Sequence, residues 1–232
     1  MQKGWDWILF FPIIALGAMS LLVLFQISPQ IAKNQLIYWI IAIPLFYIST
    51  NIDIVHWKRF AKPFAIACAI ALILVLFFAE PVRGSARWFV IGPLRIQPSE
   101  LAKLAFIVYL AGFFEVVRSS SVNTLLKSLA ILAIPVFLVA KEPDIGNAIV
   151  FIAIWAGITL VSGIRIKQVL TLLLVFAVFS LLIFNVLAPY QKQRIEDFIR
   201  PTQDPLGTGY HIIQSKIAIG SGQILGRGLG RG

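Results

Sequence analysis

The sequence predicts an all-α polytopic membrane protein, and three observations carry that prediction. Of the 232 residues, 59% are hydrophobic and only 13% charged, and the mean hydropathy is +0.89. A soluble domain of this length could not cover so much apolar surface with so few charges. The apolar residues fall in long runs, and most lysines and arginines lie in or beside the short loops between them. The net charge of +10 could point to nucleic acid, but no basic face with interleaved aromatics forms on a soluble element. Nucleic acid is therefore not an expected partner, whereas membrane lipids and an anionic lipid-linked substrate are.

Seven transmembrane helices are expected, at about Trp7–Ile27, Gln35–Thr50, Pro63–Ala79, Pro98–Val117, Thr124–Ala140, Ile145–Ser162 and Gln168–Ala188. A perpendicular span needs roughly 20 residues, so the second, third and fifth should extend into their flanking loops. Pro12, Pro44 and Pro135 fall inside runs, where neighbouring helices can satisfy the carbonyls that proline frees. The first run is too long for a signal-peptide core and no small-x-small cleavage pattern follows, so it reads as a retained span. Single Cys68 excludes an internal disulfide, and His56 and His211 stand too far apart to suggest a zinc site.

With a cytoplasmic N-terminus, the inner loops hold Lys3, Lys58, Arg59, Lys62, Arg118, Lys127, Arg165 and Lys167. The outer loops hold Lys33, Arg83, Arg87, Arg95 and Lys141. This excess of inner charge favours that orientation. Residues 1–188 then form one transmembrane bundle, and 189–232 belong to a large extracytoplasmic loop, incomplete here, with a turn at Asp204-Pro205-Leu206-Gly207 and a short surface or re-entrant helix over Tyr210–Ile219. No internal repeat or low-complexity linker divides the chain.

Four polar stretches share the expected outer face. Glu80 to Lys103 carries Arg83, Arg87 and Arg95 around Trp88 and leads through Gln97-Pro98-Ser99-Glu100-Leu101-Ala102-Lys103 into a helix. Proline suits a first helical position and an acid the first turn, so a plain capped helix start with a Glu100–Lys103 pair is one reading. A charged pair facing a polar cavity is the other, because a lysine one turn into a span needs a cavity or a partner. The arginines fit interfacial anchoring or the oxygens of a pyrophosphate. Lys141-Glu142-Pro143-Asp144-Ile145-Gly146-Asn147 repeats the proline-led start with acids in its first turn, read either as dipole stabilisation with Gly146 as a close-packing position or as part of a site. The tail adds Tyr190-Gln191-Lys192-Gln193-Arg194, Gln214 and Lys216. These spacings describe a cationic outer cavity and leave its chemistry open.

Taken together, Gly84-Ser85-Ala86-Arg87-Trp88, Gly92 through Lys103, Glu142 through Gly146, Tyr190 through Arg194, Asp204 through Ser215 and Ala218 through Gly222 resemble the SEDS (shape, elongation, division and sporulation) family. The resemblance runs the length of the chain, and His211-Ile212-Ile213-Gln214-Ser215 looks like the elongation (RodA) branch rather than the division (FtsW) branch. It implies a peptidoglycan glycosyltransferase of the bacterial cytoplasmic membrane. Such an enzyme polymerises lipid II at the outer face, for cell wall synthesis and cell shape, with a class B penicillin-binding transpeptidase as partner. It also implies about ten helices, with the family's catalytic aspartate beyond Gly232, so the chain is expected to be an N-terminal portion and offers no catalytic residue of its own. By the same resemblance Glu100 and Lys103 line the central cavity. Arg87, Arg95, Glu142, Asp144, Gln214 and Lys216 complete the candidate substrate-binding set. No definite cofactor is implied, and a divalent cation is left open. The rival readings are a transporter of lipid-linked precursor, which a cationic cavity between helices would also suit, an FtsW-type division paralogue, and a noncatalytic membrane scaffold.

Overall fold

A computed structural model describes residues 7–79, 87–92, 94–117, 121–172, 174–175, 192–193, 196, 199–200, 207, 209–224 and 226–228. Its elements are α1 (Trp7–Ile27), α2 (Pro29–Asn51), α3 (Ile54–Phe78), β1 (Phe89–Ile91), β2 (Leu94–Ile96), α4 (Pro98–Val116), α5 (Val122–Lys141), α6 (Ile145–Val161) and α7 (Tyr210–Gly222). Most of the span expected over 168–188, together with Arg83, Tyr190, Arg194 and Asp204, lies outside the described residues.

The short spans do lengthen. α2 starts at Pro29 rather than Gln35, and α3 starts at Ile54, so Pro63 lies inside a 25-residue helix instead of opening it. Lys33, Lys58, Arg59, Lys62 and Lys127, assigned above to loops, therefore sit on helices close to their ends. Long basic side chains there can reach the head-group zone while their stems lie along apolar surface. Among the described residues, α1, α2, α3 and α5 are long and apolar enough to cross a membrane. α4 has 19 residues but carries Glu100, Lys103 and Glu115, and α6 has 17 residues.

The chain forms two compact units, Met1–Leu36 with Thr171–Gly232, and Ile37–Leu170. In the second, α3 packs along α4, α5 along α6, and α4 also meets α5 and α6. Leu72 and Val75 from α3, Leu110 from α4, Val139 from α5 and Phe151 from α6 are fully buried. Phe106 and Phe151 meet edge to face at 5.5 Å between ring centres. Trp155 donates its indole N–H to Ser128 Oγ at 3.0 Å, and Ser128 donates in turn to the Leu125 carbonyl. Neither buried polar group is left without a partner. At one end of this unit Lys58 of α3 pairs with Glu115 of α4 at 2.7 Å, so the start of α3 lies beside the end of α4.

The sequence reading missed one element. β1 and β2 form an antiparallel hairpin with Phe89 opposite Ile96, Val90 opposite Arg95 and Ile91 opposite Leu94. Gly92 lies between the strands at φ 59°, the left-handed conformation that tight hairpin turns require. The hairpin is held to α2, since the Arg95 backbone N–H donates to Tyr38 Oη at 2.9 Å.

Candidate functional site

The starts of α4 and α6 come together at the end of the second unit opposite the Lys58–Glu115 pair. α6 begins because Pro143 cannot donate an N–H and Asp144 takes the N-cap position. The Asp144 carboxylate accepts from the Asn147 backbone N–H at 3.3 Å. The same carboxylate also accepts from the Asn147 side-chain amide at 2.9 Å and from Gln97 Nε2, just before α4, at 3.2 Å. Arg87 Nη1 completes its shell at 3.6 Å. Asp144 is buried, so these partners are what let a charge sit there.

Arg87 does more than balance Asp144. Its Nε donates to the Glu142 carbonyl at 3.1 Å, and its Nη2 donates to the Pro143 carbonyl. The guanidinium thus holds the turn between α5 and α6, with three groups of that turn on one fork. Of the candidate residues, Arg87 is drawn inward to this work, whereas Arg95 projects from β2 with an exposed side chain.

Lys103 lies one turn into α4. Its Nζ donates to Glu100 Oε1 at 2.8 Å and to Asn147 Oδ1 at 3.0 Å. The partner that a lysine at this depth needs therefore comes partly from its own helix and partly from α6. The Asn147 amide also donates to Ser99 Oγ, fully buried at the start of α4, at 3.5 Å. An ammonium has three N–H donors, and two are used among the described residues. The third can meet an anion at the end of the helices, beside the exposed Glu100.

Glu142 caps α5 and is 1% exposed, with neither carboxyl oxygen finding a hydrogen-bond partner among the described residues. Burial pushes its carboxyl up to about 7, nearby Asp144 adds to the rise, and Arg87 opposes it. Its acid is inside the protein rather than facing a cavity. Gly146 is exposed, and a methyl group added there would touch only Asp144 Oδ1, at an ordinary 3.7 Å, so close packing does not explain it. Gln214 and Lys216 lie on α7, in the other compact unit, with exposed side chains.

Sequence reasoning named Asn147 only as part of a stretch and gave Gln97, Ser99 and Tyr38 no role. An amide three residues after an acidic cap was the available clue to Asn147. The other three are visible only once the helices are packed. Among the described residues no group of three His, Cys, Asp or Glu side chains is placed to hold a metal ion.

Comparison with known proteins follows the whole chain. Residues 5–232 match the FtsW/RodA/SpoVE family, described as cell cycle proteins. The probable peptidoglycan glycosyltransferase FtsW of Buchnera aphidicola subsp. Baizongia pistaciae is 35% identical over 202 residues, covering 85% of this chain and 53% of that protein. Its namesake in Aeromonas salmonicida is 32% identical over 202 residues, covering 85% and 51%. The chain thus spans about half the length of these curated relatives.

Among solved structures, a chain from the structural coordination of polymerization and crosslinking by a peptidoglycan synthase complex superimposes with a TM-score of 0.83. It is 30% identical, and the match covers 96% of this chain and 67% of that one. The rod shape determining protein RodA of Thermus thermophilus gives a TM-score of 0.66 at 26% identity, covering 76% and 60%. The elongation-branch assignment drawn from His211–Ser215 is not supported by the curated relatives, which carry the FtsW name. The apolar helices, the shared fold and the match from residue 5 to residue 232 lead to one conclusion: this is a multi-pass protein of the bacterial cytoplasmic membrane and belongs to the FtsW/RodA/SpoVE (SEDS) family.

Proposed function

We propose that this chain supplies one wall of the substrate site of a peptidoglycan glycosyltransferase that polymerises lipid II at the outer face of the membrane. The observation that carries this reading is Lys103, held between Glu100 and Asn147 at the shared start of α4 and α6 with a donor to spare. In the proposed reaction a sugar hydroxyl of one lipid-linked unit attacks the anomeric carbon of another, and the pyrophosphate leaves. Charge grows on the pyrophosphate as that bond breaks, and a pre-placed ammonium lowers the cost. Arg95, exposed on the hairpin, is a second cation for the same group. Arg87 and Asp144 act as positioning residues, because they hold the α5–α6 turn and orient Asn147, which orients Lys103. Proton removal from the attacking hydroxyl is assigned to no residue of this chain.

The FtsW-type, division reading is favoured over the RodA-type, elongation reading by the names of the relatives described above. A class B transpeptidase is the proposed partner, supported by the likeness to a chain from a peptidoglycan synthase complex. The test uses the full-length protein with such a partner in proteoliposomes containing labelled lipid II. Lys103→Ala is expected to lower glycan polymer by about a hundredfold, the cost of removing one stabilising donor from a developing anion. Lipid II translocation without polymer would instead support a transporter, and unchanged polymer in Lys103→Ala would remove this site from the reaction.

A further inference from the structure

α3, α4 and α5 enclose an apolar groove of about 190 Å³ whose lining includes Lys62 but not Lys103. Small side chains help to make the space, Ala65 and Ala69 on α3 and Ala102 on α4. Phe106 lines it from α4, and Ile134 from α5 remains exposed. Lys62 stands at the α3 end and, among the described residues, makes no ion pair within 4 Å. By contrast, Lys103, next to Ala102 at the other end, is already engaged by Glu100 and Asn147.

The length of α3 fixes the depth of Lys62. Twenty-five helical residues extend about 37 Å, whereas a bilayer's hydrocarbon core is about 30 Å thick. The excess of about 7 Å is about five residues, so it fits the start of α3, which holds Trp57 and Lys58 with Arg59 next, side chains suited to the head-group zone. Lys62 then lies about one turn below that boundary, from which its long side chain can carry the ammonium up to the head groups, with the groove running from it toward the membrane interior. A molecule filling this shape has an anionic head at the interface and an apolar chain below it. The charge rule places this end in the cytoplasmic leaflet.

We propose that the α3–α4–α5 groove binds an anionic phospholipid of the cytoplasmic leaflet, with one acyl chain against Ala65, Ala69 and Phe106 and the head-group phosphate on Lys62. A bound lipid ties three helices together through one chain, and this role is separate from the chemistry proposed at the other end.

The test measures lipid retained by the purified full-length protein, using native mass spectrometry after exchange into mixed micelles. The micelles contain dioleoyl-phosphatidylglycerol, dioleoyl-phosphatidylcholine or undecaprenyl phosphate. Phosphatidylglycerol is expected to be retained about fivefold over phosphatidylcholine, the value of one lysine near a membrane surface. Lys62→Gln should bring the two to parity, and Ala69→Phe, which fills the groove, should abolish retention of both. Ile134→Trp narrows the groove from its exposed side and serves if Ala69→Phe does not fold, as judged by helical circular dichroism and gel filtration. Equal phosphatidylglycerol retention by wild type and the groove-filling variant overturns the proposal. So does preferential retention of undecaprenyl phosphate that is indifferent to Lys62→Gln, because the groove would then hold a polyprenyl chain headed from the opposite end.

Discussion

α4 and α6 begin with similar words and use them differently. Gln97-Pro98-Ser99-Glu100 and Glu142-Pro143-Asp144 both pair a proline with an acid at a helix start. In α4, proline is the first helical residue, Gln97 makes no side-chain cap, and Glu100 stays exposed beside Lys103. In α6, the acid is the cap itself, is buried, and is held by Arg87, Gln97 and Asn147. The difference teaches that a helix-start motif specifies where a helix begins but not how much its acid matters. That depends on what other segments bring to it. Glu100 receives a lysine from its own helix, which costs little to arrange. Asp144 receives donors from three separate stretches, and its removal takes an acceptor from each of them.

The largest effect should follow from breaking the α6 start. Asp144→Ala leaves Arg87 half-buried without its counter-charge and removes the helix cap. It should cost about 3–5 kcal/mol in detergent unfolding, whereas Glu100→Ala should cost under about 0.5 kcal/mol. Similar losses for the two would erase the contrast. Next comes pH, through Glu142. Its carboxyl is neutral in both folded and unfolded chains below about 4.5 and ionises in the folded protein only near 7. The unfolded state therefore releases its proton first, and stability falls as pH rises from about 4.5 to about 7, by on the order of 3 kcal/mol, then levels. Glu142→Gln should flatten that slope, and a slope that survives the substitution assigns it to another group.

A smaller effect is expected at the Trp155–Ser128 bond. Ser128→Ala should cost about 1–2 kcal/mol by leaving the buried indole N–H without an acceptor, while Trp155→Phe with Ser128→Ala should recover part of it in a double-mutant cycle. The smallest belongs to Lys58–Glu115 at the far end. Both side chains are about half exposed, so Lys58→Ala should shift stability by less than about 1 kcal/mol and less still in high salt.

Much of the fold was legible because span length and apolarity are properties of single segments. The six starts and ends of α1, α4 and α6 agree with expectation to within about one residue, the usual blur of helix termini. α3 was misjudged at its start because Lys58, Arg59 and Lys62 look like a loop when only hydropathy is read. They are the interfacial end of a longer helix. The hairpin was missed because its strands are three residues each, and Gly92 also reads as an ordinary loop residue. At the site, the Glu100–Lys103 pair followed from helical spacing. The partners Asn147, Gln97 and Ser99 did not, since they meet only where two helix starts converge.

What the sequence determined alone is the membrane class, the order of apolar helices and the local pair on α4, each set by interactions within one segment. Only tertiary structure decided that Arg87 serves the α5–α6 turn, that Asp144 is buried with donors from three stretches, and that the Glu142 carboxyl is shut away with no hydrogen-bond partner among the described residues. The reason is physical. Hydropathy and helical period act over a few neighbouring residues, whereas the environment of a buried charge is set by every segment packed around it, and residues 87, 97, 103 and 147 become neighbours only when the helices pack.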